Sequence, residues 1–243
     1  RDSIKDGRVV KGTGFVGLVD SGDPIELAKE YSAQNADELV LLDIAATNED
    51  RKNRVGLVEA IAKEINIPFT IGGGVSEIED IRQLLQAGAD KVSIGSAAVN
   101  NPDFVSQAVN EFGGQAIVIS VDPKREGNAW KIYINGGSKR TELDAIEFAL
   151  EMEQRGVGEL LVNSLDRDGT KKGYDIELLS EISDCVSIPV IASSGVGNLQ
   201  DFEDVFEKTK VTAALGARIF HEKVLSIPQV KQYLKNKGIM VRA

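Results

Sequence analysis

Short apolar runs alternate with longer stretches of helical period along the whole chain. Strand-like runs fall at 38–43 (ELVLLD), 67–71 (IPFTI), 91–95 (KVSIG), 116–121 (AIVISV), 159–164 (ELLVNS), 188–192 (IPVIA) and 212–216 (TAALG). Helical periodicity covers residues near 24–34, 54–65, 77–87, 101–112, 142–155, 175–185, 199–207 and 227–237. Several of these open on a cap such as Asp23-Pro24 or Asn101-Pro102. Seven strands alternating with eight helices predict parallel strands joined by crossover helices. The first helix has only a loop before it, so an eighth strand is expected ahead of residue 5, incomplete or missing from the sequence.

A repeat at half the chain length decides between an open sheet and a closed one. Shifting the sequence by 121 residues places Ile25, Glu26, Ala28 and Glu30 on Ile146, Glu147, Ala149 and Glu151. The same shift sets Ile67-Pro68 on Ile188-Pro189, Gly74-Val75 on Gly195-Val196, Asp80 on Asp201 and Gly95 on Gly216. An open sheet has no reason to repeat in this way, whereas a barrel of two (βα)₄ halves does. The expectation is a single (β/α)₈ barrel domain over residues 1–243, with half-barrels about 1–121 and 122–243 and an incomplete first strand.

In such barrels the chemistry sits at the C-terminal strand ends. Two glycine-rich strand ends per half stand out: Gly73 and Gly74 with Gly95 and Ser96, and, by the repeat, Ser194 and Gly195 with Gly216 and Ala217. Backbone N–H groups gathered at a strand end ahead of a helix hold anions. Any one of these glycines alone is explained equally well by a tight turn; four at repeat-related positions point to two phosphate sites and a bis-phosphate ligand. Acidic residues close several strands, namely Asp43, Asp122, and Asp166 with Asp168 after the sixth. Asp122 ends its apolar strand and precedes Pro123, so the chain is expected to turn directly beyond it. It is the foremost candidate for proton transfer, a solvated loop aspartate being the plain alternative.

Residues 5–22 and 122–141 form segments longer than simple connections, expected to act as lids or binding elements. The first carries Lys11, a candidate for a substrate oxygen; the second carries AWKIYI at 129–134 followed by Asn135-Gly136-Gly137, which predicts a small hairpin with Trp130 as an exposed anchor. Substrate contacts are also expected from Asp43, Asn163, Asp168 and Thr170.

Composition then removes whole classes. With 28 basic against 38 acidic side chains and a net charge of −10, a general nucleic-acid binder is disfavoured. One cysteine, Cys185, and one histidine, His221, exclude a disulfide framework, a histidine triad and a multi-cysteine metal site, so neither metal nor cofactor is expected. Cys185 falls at a helix end and is expected to be structural. No apolar run approaches the roughly 18–20 residues of a membrane span, and a cytoplasmic protein is expected.

The same residues carry a family resemblance over nearly the whole chain. The runs KDGRVVKGT (5–13), GDP (22–24), ADEL (36–39), IGGG (71–74), GADKVS (88–93), VDPKR (121–125) and DRDGTK (166–171) together resemble the cyclase subunit of imidazole glycerol phosphate synthase. The resemblance implies a lyase of histidine biosynthesis. Its substrate, a phosphoribulosyl formimino aminoimidazole carboxamide ribotide, carries a phosphate at each end. Ammonia comes from a glutaminase, here a separate chain in a heterodimer. Two aspartates serve as acid and base, and Asp122 falls on the second. The position of the first, two residues before the KDGR run, holds Ser3, with Asp2 one place earlier. A serine does not exchange protons as a carboxylate does near neutral pH, so the chain is expected to bind substrate and turn it over poorly.

Ser193-Ser194-Gly195, Gly95 and Gly216-Ala217-Arg218 depart from the commonest pattern and resemble the cyclase half of the fused eukaryotic enzyme. Glu38, Lys91 and Glu159 match a charged ring at the ammonia entrance, which is equally a structural ion-pair network. Competing expectations are the isomerase of the preceding pathway step, an ammonia-using partner in nucleotide-sugar amidination, and a catalytically silent subunit that activates a glutaminase.

Overall fold

In the computed structural model the backbone is described for residues 2–5, 8–13, 16–43 and 48–242, and side chains for residues 22–43 and 54–242. The chain resolves into two compact units that meet in sequence between Ile117 and Val118. The first contains β1 (Asp2–Lys5), β2 (Arg8–Thr13), β3 (Val16–Gly22), α1 (Pro24–Ala33), β4 (Leu39–Asp43), α2 (Asn48–Ala62), β5 (Phe69–Gly72), α3 (Ile78–Gln86), β6 (Lys91–Ile94), α4 (Ser96–Asn100) and α5 (Pro102–Phe112). Its parallel ladder runs β1, β4, β5, β6. The second comprises β7 (Ile117–Glu126), β8 (Ala129–Ile134), β9 (Lys139–Asp144), α6 (Ala145–Gln154), β10 (Glu159–Asn163), α7 (Ile176–Cys185), β11 (Val190–Ser193), α8 (Leu199–Lys208), β12 (Ala213–Ala214), α9 (Arg218–His221) and α10 (Ile227–Asn236). Its ladder is β7, β10, β11, β12, again parallel.

Parallel strands covered on both faces read as unbroken apolar runs. Leu41 and Ile71 of adjacent strands are fully buried in the first unit, as Leu160 and Leu161 are in the second. The expected eighth strand is β1, a four-residue strand parallel to β4 with Ser3 opposite Leu42.

The repeat extends from sequence to hydrogen bonds. Asp23 accepts from the N–H groups of Ile25 (2.9 Å) and Glu26 (3.1 Å), and Asp144 accepts from Ile146 (2.9 Å) and Glu147 (3.3 Å), each capping the helix that follows. The Leu39 N–H donates to the Pro68 carbonyl (3.0 Å), as that of Leu160 does to Pro189 (2.9 Å). Asp80 Oδ2 takes the N–H groups of Ser76 (3.0 Å) and Glu77 (3.1 Å), and Asp201 Oδ2 takes those of Gly197 (2.7 Å) and Asn198 (3.1 Å). Each carboxylate thereby fixes the turn between a glycine-rich strand end and its helix. Asp80→Ala and Asp201→Ala are each expected to cost about 1–2 kcal/mol, lowering Tm by a few degrees in thermal unfolding.

Several expectations change. Residues 8–13 and 16–22 are not a loop but an antiparallel hairpin, β2 with β3. Val9, Val10, Val16 and Val19 give these segments the β-branched character that strands favour. The chain does not turn after Asp122. β7 continues to Glu126, its first half parallel to β10 and its second half antiparallel to β8, with Asp122 paired to Tyr133 at the changeover. At this changeover the Pro123 carbonyl accepts from the Leu165 N–H (2.9 Å). The hairpin predicted after Asp122 exists and is joined by β9, so α6 starts at Ala145 rather than residue 142. Trp130 is not exposed but 2% accessible, its ring stacked 4.8 Å from the Arg125 guanidinium. Helix α2 begins at Asn48, before the predicted residue 54, and β12 shrinks to two residues.

Candidate functional site

Each unit builds one glycine-rich cradle from two neighbouring strands. In the first, Gly72 ends β5 beside Ser93 of β6, so the loops that leave these strands are adjacent. Gly73 and Gly74 then take φ of +98° and +62°. A Cβ on Gly73 would overlap the Asp43 carbonyl oxygen, because the loop is folded down onto the end of β4. Positive φ at two successive residues folds the loop back over the end of β5. Gly95 caps α4 and Ser96 begins it. Asp43, 9% accessible, closes β4 against this loop.

In the second unit Ser194 and Gly195 take φ of +79° and +96° at the end of β11. The Gly173 N–H donates to the Gly195 carbonyl (2.9 Å). Beside it the fully buried Tyr174 hydroxyl donates to the Leu215 carbonyl (3.1 Å), directly ahead of Gly216-Ala217 and α9. Burial holds the Tyr174 phenol well above its ordinary pKa, so it stays a neutral donor. All four predicted residues of each cradle therefore gather on adjacent strands within one unit.

Asp122 is half-buried, and the amide of Asn163, itself 5% accessible, donates to its Oδ1 (3.0 Å) and to Ser120 Oγ (3.0 Å). That contact orients the carboxylate. Asn163 lies opposite Ser193, so one residue links Asp122 to the strand that leads into the second cradle. Asp166 Oδ2 accepts the Arg125 N–H (2.7 Å), anchoring the hairpin base. Asp168 is half-buried in the loop after β10. The exposed Thr170 closes a turn, its hydroxyl donating to the Arg167 carbonyl (2.9 Å) and accepting from Lys172 N–H (3.3 Å). Lys11 lies on β2 opposite Val19, and Ser3 on β1; their side chains lie outside the described residues.

At the strand starts, Lys91 Nζ meets Glu38 Oε2 at 3.0 Å. Glu159 opens β10 in the second unit. Cys185 ends α7 as expected, its thiol donating to the Ile182 carbonyl (3.2 Å), and burial raises its pKa.

One residue at the first cradle escaped the sequence reasoning. Arg54 is 5% accessible and donates through Nη1 to the Gly73 carbonyl. Its signal was present: Arg54, Val58 and Ile61 recur at helical spacing, so the arginine occupies the buried stripe of α2. A charge on such a stripe needs a polar partner.

No helix among the described residues is long and apolar enough to cross a membrane. The family model described as "Histidine biosynthesis protein" matches residues 3–226. Proteins named imidazole glycerol phosphate synthase subunit HisF are similar over almost their whole length. That of Dehalococcoides mccartyi is 52% identical over 239 residues, covering 98% of this chain and 94% of its own. The Leuconostoc mesenteroides protein is 51% identical over 241 residues (98% and 95%), and that of Cytophaga hutchinsonii 52% over 239 residues (98% and 95%). With the family model spanning most of the sequence and relatives this close, the chain belongs to the histidine biosynthesis protein family and has its (β/α)₈ barrel fold.

Proposed function

We propose that the chain is the cyclase subunit of an imidazole glycerol phosphate synthase. In this reading ammonia released by a separate glutaminase subunit attacks the phosphoribulosyl formimino aminoimidazole carboxamide ribotide, giving imidazole glycerol phosphate and the aminoimidazole carboxamide ribotide. The observation that carries it is the pair of repeat-related cradles, one per unit, matched to a substrate with two terminal phosphates. Gly73, Gly74, Gly95 and Ser96 hold one phosphate, and Ser194, Gly195, Gly216 and Ala217 the other. Backbone N–H groups can do this in a protein of net charge −10 because they supply fixed positive dipoles without a basic surface.

Nitrogen attack and ring closure require protons to leave the incoming nitrogen and to reach the departing one. Asp122, oriented by Asn163, is the base that receives the first proton. Ser3 stands where the family resemblance places the first of the two aspartates, so the other transfer is slow. Asp43, Lys11, Asp168 and Thr170 are assigned to the substrate's hydroxyl and ring groups, and Glu38, Lys91 and Glu159 to the passage of ammonia.

The test is ammonia-dependent formation of imidazole glycerol phosphate without glutaminase. Asp122→Asn preserves size and the hydrogen-bonding site and is expected to reduce turnover at least about a hundredfold with substrate affinity little changed. Unchanged turnover removes Asp122 from the mechanism. Ser3 specifically favours one second reading, a silent subunit that activates a glutaminase. Ligand-dependent glutaminase stimulation with no ring closure, even after a carboxylate is restored at position 3, would establish that reading.

A further inference from the structure

The repeat that makes the two cradles alike also shows where they differ. A shift of 121 residues places Gly73 on Ser194, Asp43 on Ser164, and Arg54 on Asp175. Both members of the last pair are buried, Arg54 at 5% accessible and Asp175 at 8%. Arg54 donates to the Gly73 carbonyl, and its Nη1 lies 3.8 Å from where a Gly74 Cβ would stand. Asp175 instead accepts from Ser164 Oγ (2.7 Å) and from the Leu178 N–H (3.4 Å), two residues beyond Gly173, which bonds the Gly195 carbonyl. The same place in the fold therefore buries a cation in one half and an anion-bearing side chain in the other.

We propose that Arg54 is a positioning residue that makes the cradle of Gly73 and Gly74 the tighter of the two phosphate sites. The inference rests on the phosphate reading of the cradles and adds an order between them. Two physical effects act together. By holding the Gly73 carbonyl outward, the guanidinium fixes the peptide that precedes Gly74 and keeps the left-handed pair in place without ligand, so binding costs less ordering. Its charge, shielded from water, also stands beside Gly74, with Nη1 3.8 Å from that residue's Cβ position, where screening is weak. At the second cradle the Gly195 carbonyl is held by the Gly173 N–H (2.9 Å) rather than by a buried guanidinium. That cradle has a carboxylate at the equivalent position and relies on Tyr174 and backbone contacts for its shape. A bis-phosphate substrate then docks first by the end that occupies the Gly73–Gly74 cradle.

The experiment is a titration of the isotope-labelled full chain with inorganic phosphate, following the backbone amide resonances of Gly74 and Gly195 separately. In the parent protein Gly74 is expected to reach half-saturation at the lower phosphate concentration. Arg54→Met should raise that midpoint about tenfold and leave the Gly195 midpoint in place. Arg54→Lys should recover part of the loss, since it restores the charge but not the planar fork. An unchanged Gly74 midpoint in Arg54→Met, or equal shifts at Gly74 and Gly195, would overturn the proposal while leaving the phosphate reading intact. A parent protein in which neither amide responds to phosphate would overturn the phosphate reading itself. Should Arg54→Met not fold, Arg54→Lys decides alone: a midpoint raised at Gly74 only supports the role, and none raised refutes it.

Discussion

Ser3→Asp is expected to raise the rate of ammonia-dependent ring closure by about 10²–10⁴-fold, the usual worth of a positioned general acid or base. KM should change little, because the cradles that would hold the phosphates are built from other strands. The backbone supports the choice of position. Residue 3 pairs with Leu42 in the parallel ladder, while Asp2 pairs with Leu41 and Ile4 with Asp43. Positions 2 and 3 fall on opposite faces of the strand, so Asp2 is no substitute for a carboxylate at 3. Asp2→Asn placed on top of Ser3→Asp should therefore keep the restored rate. The pH profile gives an independent check. With Asp122 as the one proton-transferring group assigned, the rate should rise through one ionisation, whereas Ser3→Asp should add a second and give a bell. Equal product formation by the parent chain and Ser3→Asp, followed by direct assay of imidazole glycerol phosphate, would show that position 3 is not a proton-transfer site.

Much of this was legible before any coordinates, because the repeat constrains the chain twice. Each element had to satisfy two stretches of sequence at once, so the strands at Leu39 and Leu160 and the cap at Asp23 followed from the pattern. The departures occur even where the repeat holds, since the shift of 121 residues carries β2 (Arg8–Thr13) onto β8 (Ala129–Ile134). The hairpin β2–β3 and the strand β9 are insertions in the (βα) alternation, built from short runs broken by Gly12, Gly17 and Gly136. Their strand character comes from pairing with neighbours, which local propensity does not contain. Asp122 illustrates the same limit. Its residue type and the preceding apolar run single it out in the sequence, but only the pairing with Tyr133 shows that the strand passes through it. Arg54 was hidden for a different reason: arginine on a helix is ordinarily a solvated face, and its burial is set by the loop folded above it.

Gly73→Ala is expected to have the largest effect on stability, about 3–5 kcal/mol, and to abolish phosphate retention by the first cradle. Two independent penalties coincide there. At φ +98° an L side chain is strained whatever space surrounds it. The added Cβ would also overlap the Asp43 carbonyl, a backbone group at the end of β4 that cannot swing aside as a side chain would. The loop has to leave the strand, carrying the Gly73 carbonyl away from Arg54. The repeat-related position makes the control. Ser194 already occupies φ +79° with its Cβ in place, at a cost of about 1–2 kcal/mol for an L residue in that region. Ser194→Gly removes that cost but frees the unfolded chain, so a net gain of up to about 1 kcal/mol is expected. Denaturant midpoints at constant m should thus move in opposite directions for the two substitutions, down steeply for Gly73→Ala and slightly up for Ser194→Gly. A Gly73→Ala protein as stable as its parent would mean that the loop does not rest on β4. The first cradle would then lose the constraint that lines up its N–H groups, and with it the physical basis for holding a phosphate there.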